Sequence, residues 1–192
     1  MQATVEGQRL AEFLNTEDHR RPDRREQSHA ADDELTSPAS LTAWMRAHAI
    51  LSVPEATDAD LRRARRLRAA LRDVVAATGS RTPIEALRAE ARSLPLVLDL
   101  DGQGVPRLAP AHPGMRGALT GLLIDAIRLA EMGQWDRLKR CAADDCRWVF
   151  FDRSRPGTGR WCAHAACGNR EKTRRYRRRR AKARGGASQK VT

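Results

Sequence analysis

The sequence predicts an α+β chain of 192 residues: a mostly helical first part with a small β-hairpin, then a small cysteine-built module. Three observations predict it. Apolar residues recur every three or four positions over 37–77 and 113–132, the period of a helix with one buried face. They alternate along Leu96, Leu98 and Leu100, before a turn at Asp101-Gly102. All four cysteines fall late, as Cys141, Cys146, Cys162 and Cys167, two C-x4-C pairs separated by fifteen residues.

Taken in order, Leu10, Phe13 and Leu14 form a short helical cluster ending near Asn15, and the polar stretch 17–34 reads as a loop. Ser37-Pro38 starts a helix with Leu41, Trp44, Met45 and His48 on one face. Ser52 and Glu55 look like a capping box for a long helix to about Ala77. Its buried stripe is Leu61, Ala64, Leu67, Leu71, Val74 and Val75, and Arg62, Arg63, Arg65, Arg66, Arg68 and Arg72 read as solvated. Gly79 ends it, and Thr82-Pro83 starts a shorter helix through Ser93. The strand at 96–100 is expected to bury its leucine face, with a return at 105–108 that Pro106 confines to a sheet edge. Pro113 opens a helix through Met132, capped by Gly133. Trp135 and Leu138 lead into Cys141 without a linker, so the module should be rigidly docked, at a boundary of 136/137. Residues 137–184 then form the module and 185–192 a disordered tail.

Charge is divided along the chain. From Arg137 onward 18 Lys and Arg face 4 acids, net +14, whereas the first 136 residues carry 18 against 20, net −2. A near-neutral body with a strongly basic end implies a polyanionic partner. Met1–Leu14 lacks a basic start and an unbroken apolar run, and no apolar stretch reaches membrane-spanning length, so a reducing cytoplasm is expected.

In that compartment, four clustered thiols favour a structural zinc site over two disulfides. An iron–sulfur cluster is a further option, and a redox dithiol is disfavoured because neither pair is C-x-x-C. A zinc with four thiolates carries a formal charge of about −2 and needs N–H donors and cations around it. The turn Ala142–Asp145 can donate N–H groups, the second pair sits at a helix start, and Arg160 and Arg170 are the expected compensating charges. Trp148–Asp152 reads as a strand over the site; knuckle, hairpin, then ligands at a helix start is a treble-clef-like order. His164 is a competing ligand; His19, His29, His48 and His112 lack metal spacing.

The residues Cys141, Cys146, Trp148, Phe150-Phe151-Asp152, Arg153-Ser154-Arg155, Arg160-Trp161-Cys162 and Cys167-Gly168-Asn169-Arg170 resemble the CGNR zinc fingers, over roughly 138–181. Phe151 stands where the family often has a hydroxylated aromatic. The stretches Phe13-Leu14-Asn15-Thr16 and Leu35–Trp44 resemble the ABATE domain, whose family is described as stress-responsive transcription regulators.

The helix after Arg170 is basic nearly all round, and only its first turns and Tyr176 are expected to dock on the metal core. The expected nucleic-acid contacts are Arg153, Arg155, Arg160, Arg170, Lys172, Arg174, Arg175, Arg177, Arg178 and Arg179. The reading is a zinc-dependent binder of double-stranded DNA acting in transcription, its first domain receiving a small-molecule or protein signal, forming a homodimer, or both. The alternatives are an RNA- or ribosome-associated zinc protein, and an enzyme with a pocket in the first 136 residues. Against an enzyme, no nucleophile, partner base or glycine-rich phosphate loop is visible, and four thiolates leave zinc no open position.

Overall fold

The computed structural model describes residues 4–20, 32–48, 53–77, 84–163 and 167–187, without the side chains of 181–187. Its order is α1 (Val5–Asn15), α2 (Pro38–Ala47), α3 (Asp58–Ala76), α4 (Ile84–Arg92), β1 (Leu96–Leu100), β2 (Pro106–Pro110), α5 (Gly114–Glu131), a 3-10 turn (Trp135–Arg137), β3 (Leu138–Arg140), β4 (Val149–Phe151) and α6 (Asn169–Ala187). Among the described residues, six helices and two separate antiparallel hairpins make an α+β fold, as the sequence predicts.

Local chemistry sets the helix ends. Thr4 accepts the Gly7 N–H at the start of α1. Ser37 and Ser40 form a reciprocal capping box on α2, with Pro38 at its first position. The start of α3 differs from the expectation: its capping box is Thr57 with Asp60, and 53–57 is not helical. Thr57 precedes the apolar stripe by one turn, where a cap can serve the buried face; Ser52 lies outside the described residues, as do Gly79 and Thr82-Pro83. Helix α5 ends as expected at Gly133, in the left-handed region at φ 64°, with Gly133 N–H on Ala130 and Gln134 N–H on Leu129.

The core lies between α1, α2, α3 and α5, where Leu10, Phe13, Leu14, Leu41, Met45, Leu67, Leu119 and Leu122 are fully buried. Truncating a buried Phe such as Phe13 typically costs about 3–5 kcal/mol. The same cluster includes Leu138, Val149 and Phe151 from the β3–β4 hairpin. The cysteine module therefore shares the first core, in line with the missing linker. Gly7 permits this: a Cβ there would stand 2.7 Å from the Phe151 ring.

Two further expectations, both about burial, fail. Arg68 and Arg72 are not solvated; they are 3% and 8% exposed. Arg68 is held by Asp33 at 2.7 and 2.8 Å and by the Thr16 hydroxyl at 2.9 Å. Arg72 donates to the Leu14 carbonyl, to that of Glu17 at 3.2 Å, and to that of Arg147 at 3.1 Å. The Leu14 carbonyl lies in the last turn of α1, where helical partners run out, so a buried guanidinium is stable there. The leucine face of β1 is not buried either: Leu98 and Leu100 are 74% and 58% exposed. The two-stranded hairpin meets the body through β2, which packs on α5. The ends of the expected 17–34 loop are pinned by a bridge between Glu17 and Asp33; 21–31 lie outside the described residues. No helix among the described residues is long and apolar enough to cross a membrane.

Candidate metal centre and nucleic-acid interface

Strands β3 and β4 pair as Leu138 with Phe151, Lys139 with Phe150 and Arg140 with Val149. Just past β3, Cys141 N–H donates to the Trp148 carbonyl at 2.8 Å, and the turn to Cys146 closes on Ala143 at 3.0 Å. Arg147 leaves this knuckle in the left-handed region at φ 55°, an uncommon conformation for a residue with a side chain. Its carbonyl is the one Arg72 holds.

The outer edge of β4 is taken by a side chain. The Asn15 amide donates to the Val149 carbonyl at 2.7 Å and accepts the Val149 N–H at 2.8 Å, so it stands in for a neighbouring strand. Asn15 and Val149 are both buried.

After β4 the chain loops around Asp152, which is 3% exposed. Its carboxylate accepts the Ser154 N–H at 3.0 Å, the Gly159 N–H at 2.7 Å and the Lys139 ammonium at 2.8 Å. Burial pushes the Asp152 pKa up, but the Lys139 and Ser154 bonds and two backbone donors outweigh it and hold it well below the usual carboxylate range. A Cβ on Gly159 would fall 2.6 Å from this carboxylate, so the close approach requires glycine. Arg137 ties the same loop through the Asp152 and Ser154 carbonyls. Arg153, Arg155 and Arg160 project outward from this fixed frame and are exposed.

The loop returns through Arg160, whose carbonyl accepts the Ala142 N–H at 2.8 Å and joins the two halves of the module. All four sulfurs then converge, every pair lying within 4.8 Å. Cys146 and Cys162 are 3.5 Å apart, and Cys162 and Cys167 3.7 Å. A tetrahedral ion with metal–sulfur bonds of about 2.3 Å needs sulfurs roughly 3.8 Å apart, so the set fits zinc. Thiols this close cannot all ionise on their own. Hydrogen bonds from Cys146 and Cys162 bring Cys141 down to about 2, and sharing with Cys141 pushes Cys146 up to about 12 and Cys162 up as well. A divalent cation removes that conflict.

The surroundings match a thiolate-rich centre. Backbone N–H groups of Ala143 and Cys162 point at the Cys141 sulfur, and that of Trp148 at Cys146. Arg170 donates to the Cys167 sulfur at 3.3 Å, in the compensating role expected of it. Arg160 instead lies 5.3 Å from the centre of the Trp161 ring. Arg20, overlooked in the sequence, stacks 3.9 Å over Trp148 while bound to Asp18. His164 lies outside the described residues.

Helix α6 leaves the centre two residues after Cys167. Arg174, one of the expected nucleic-acid contacts, is bound to Asp145 at 2.5 Å and Glu171 at 3.0 Å, which clips the helix to the first knuckle. Tyr176 does not dock; it is 55% exposed, since α6 is held through Arg170 and Arg174 and the Tyr176 ring meets Arg180 at 5.7 Å. Lys172, Arg175, Arg177, Arg178 and Arg179 are exposed. The helix runs to Ala187, beyond the expected start of the tail at 185; residues 188–192 lie outside the described part.

Sequence reasoning missed Asn15, Arg72, Arg137 and Lys139. Asn15 stood within a quoted motif but carried no periodic or charge signal of its own.

Two family models match the chain. The CGNR zinc finger matches residues 137–180. ABATE, described as "Putative stress-induced transcription regulator", matches residues 7–144. No curated protein matches it.

Proposed function

Because the chain belongs to the ABATE family and ends in a CGNR zinc finger, we propose that it is a zinc-dependent, DNA-binding regulator of transcription. The observation that carries this reading is the basic helix α6, anchored at its first turn to a metal centre and exposed beyond it. Zinc fills the four-sulfur site, fixes the loop and the helix relative to each other, and has no open position for catalysis. The nucleic-acid surface is then Lys172, Arg175, Arg177, Arg178 and Arg179 along the helix, with Arg153, Arg155 and Arg160 beside it.

Helix side chains supply phosphate contacts, which position without reading sequence; the rigid loop bearing Arg153 and Arg155 supplies base-edge contacts. The first domain receives the regulatory signal. Binding of the whole zinc-loaded protein to duplex DNA, structured RNA and a random DNA pool tests this, with salt varied. About six phosphate contacts give a slope of log K against log salt near −5. A selected DNA sequence with such a slope supports the reading. Preference for RNA, or a flat slope, refutes it.

A further inference from the structure

Between the helical body and the metal module lies a cavity of about 920 Å³. This is the volume range of sites for small organic ligands. Its walls come from both halves of the chain: α1 and α2 on one side, β4 and the following loop to Cys162 on the other. Five Trp and Phe rings line it, Trp44 from α2 and Trp148, Phe150, Phe151 and Trp161 from the module. In a protein with so few aromatics this is a concentration, and three of these rings are only half-buried.

Charge is distributed unevenly around the rings. On the helical side stand Glu12 and Glu34, both exposed. Among the described residues, Glu12 meets Gln8 and His48, at 2.9 and 3.3 Å. The Glu34 side chain has no hydrogen bond or ion pair among the described residues. His48 is stacked flat on Trp44 at 3.8 Å, which closes the floor on that side. The carboxylate on the module side, Asp152, is already satisfied by Lys139 and backbone donors. Arg153 and Arg160 also line the module side and are exposed. An occupant therefore meets aromatic faces, the Glu12 and Glu34 carboxylates on the helical side and cations on the module side.

We propose that this cavity binds a planar aromatic molecule bearing a cationic amine or amidinium group, its ring held against the tryptophans and its positive end against Glu12 and Glu34. Aromatic faces attract cations and flat π-systems, and carboxylates add charge selectivity. The proposal rests on the first domain being the signal-receiving half. Such a ligand bridges α1 and β4, so binding to it is felt by the metal module without any further moving part.

The test uses the full zinc-loaded chain without nucleic acid, so its outcome is independent of whether the protein binds DNA. Calorimetric titration with proflavine, a planar cation, should give saturable binding of one molecule per chain. Anthracene-2-sulfonate, similar in shape but anionic, should bind at least about tenfold more weakly, as expected from reversing a charge beside two carboxylates. E12Q/E34Q should lose roughly tenfold in proflavine affinity, a partly exposed charge effect at each position. E85Q/E131Q, on remote exposed surface, should change nothing. Equal binding of both dyes, an unaltered E12Q/E34Q affinity, or no saturable binding to protein with wild-type thermal stability overturns the proposal. Loss of half the proflavine affinity or more in W148A, with zinc content unchanged, gives a second readout on the ring side.

Discussion

Replacing Asn15 by Leu tests whether the body and the metal module fold as one unit. The substitution keeps the approximate shape but removes both bonds to Val149, at 2.7 and 2.8 Å. Val149 is 1% exposed, so water cannot replace them freely. An unmet buried N–H or C=O costs about 1–3 kcal/mol. Two such groups give roughly 2–6 kcal/mol, a large part of the ~5–15 kcal/mol of a typical domain. With a urea slope of about 2 kcal/mol/M, a loss near 3 kcal/mol moves the midpoint by about 1.5 M. Unfolding should be followed both by far-ultraviolet circular dichroism and by zinc release to a coloured chelator. If the shared core is real, both signals move together. A shift under about 0.5 M, or movement of the zinc signal alone, would refute the reasoning and leave a module that folds on its metal independently of the helical body.

Other outcomes follow from the same geometry. Elemental analysis of protein purified under reducing conditions should find one zinc per chain, and chelation should lower the thermal midpoint of helices as well as of the module. Gly7→Ala should destabilise by about 1–3 kcal/mol in urea unfolding, because its Cβ forces the buried Phe151 ring aside. R175A/R178A/R179A should flatten the salt slope by about three units and weaken all sequences alike. Arg174→Ala should leave that slope within one unit of wild type but speed zinc release, since its guanidinium holds Asp145 rather than phosphate. For Asp33, burial raises the pKa, but Arg68, the Leu35 N–H and Arg65 outweigh it and the net pKa is lowered. Its contribution is then fully present above the ordinary carboxylate pKa near 4 and fades as pH falls through the lower folded value. The stability gap between wild type and Asp33→Asn should stay constant from pH 5 to 7 and narrow below about pH 4 in urea titrations.

Much of the metal centre was legible because cysteine spacing records ligand geometry directly, and Arg170 could be assigned from its place beside Cys167. Helices α2 and α5 were legible from Ser37-Pro38 and Gly133, where caps have strong residue preferences. What stayed hidden depends on contacts distant in sequence. Arg68 and Arg72 look like any helix-surface cations; they are buried because Asp33 and the end of α1 arrive to bind them. Leu98 and Leu100 alternate like a buried strand face, yet a lone hairpin joined to the body through β2 leaves them outside. Arg174 resembles its neighbours in an arginine run, and only the approach of Asp145 separates it from them.

Helix α6 has a thermodynamic consequence of its own. Nineteen residues make a rod about 28 Å long, of which only the base is tethered. Beyond it, Arg175 and Arg179, and Arg177 and Arg180, face each other with like charge at helical spacing. Each such pair disfavours the helix by roughly 0.2–0.5 kcal/mol. Polyphosphate relieves that repulsion, so coil-to-helix ordering and anion capture become one linked equilibrium, each strengthening the other by the same factor. Whatever stiffens the rod without touching its arginines, such as alanine in place of Gly185 and Gly186, therefore tightens binding, and whatever loosens it weakens binding to every sequence equally.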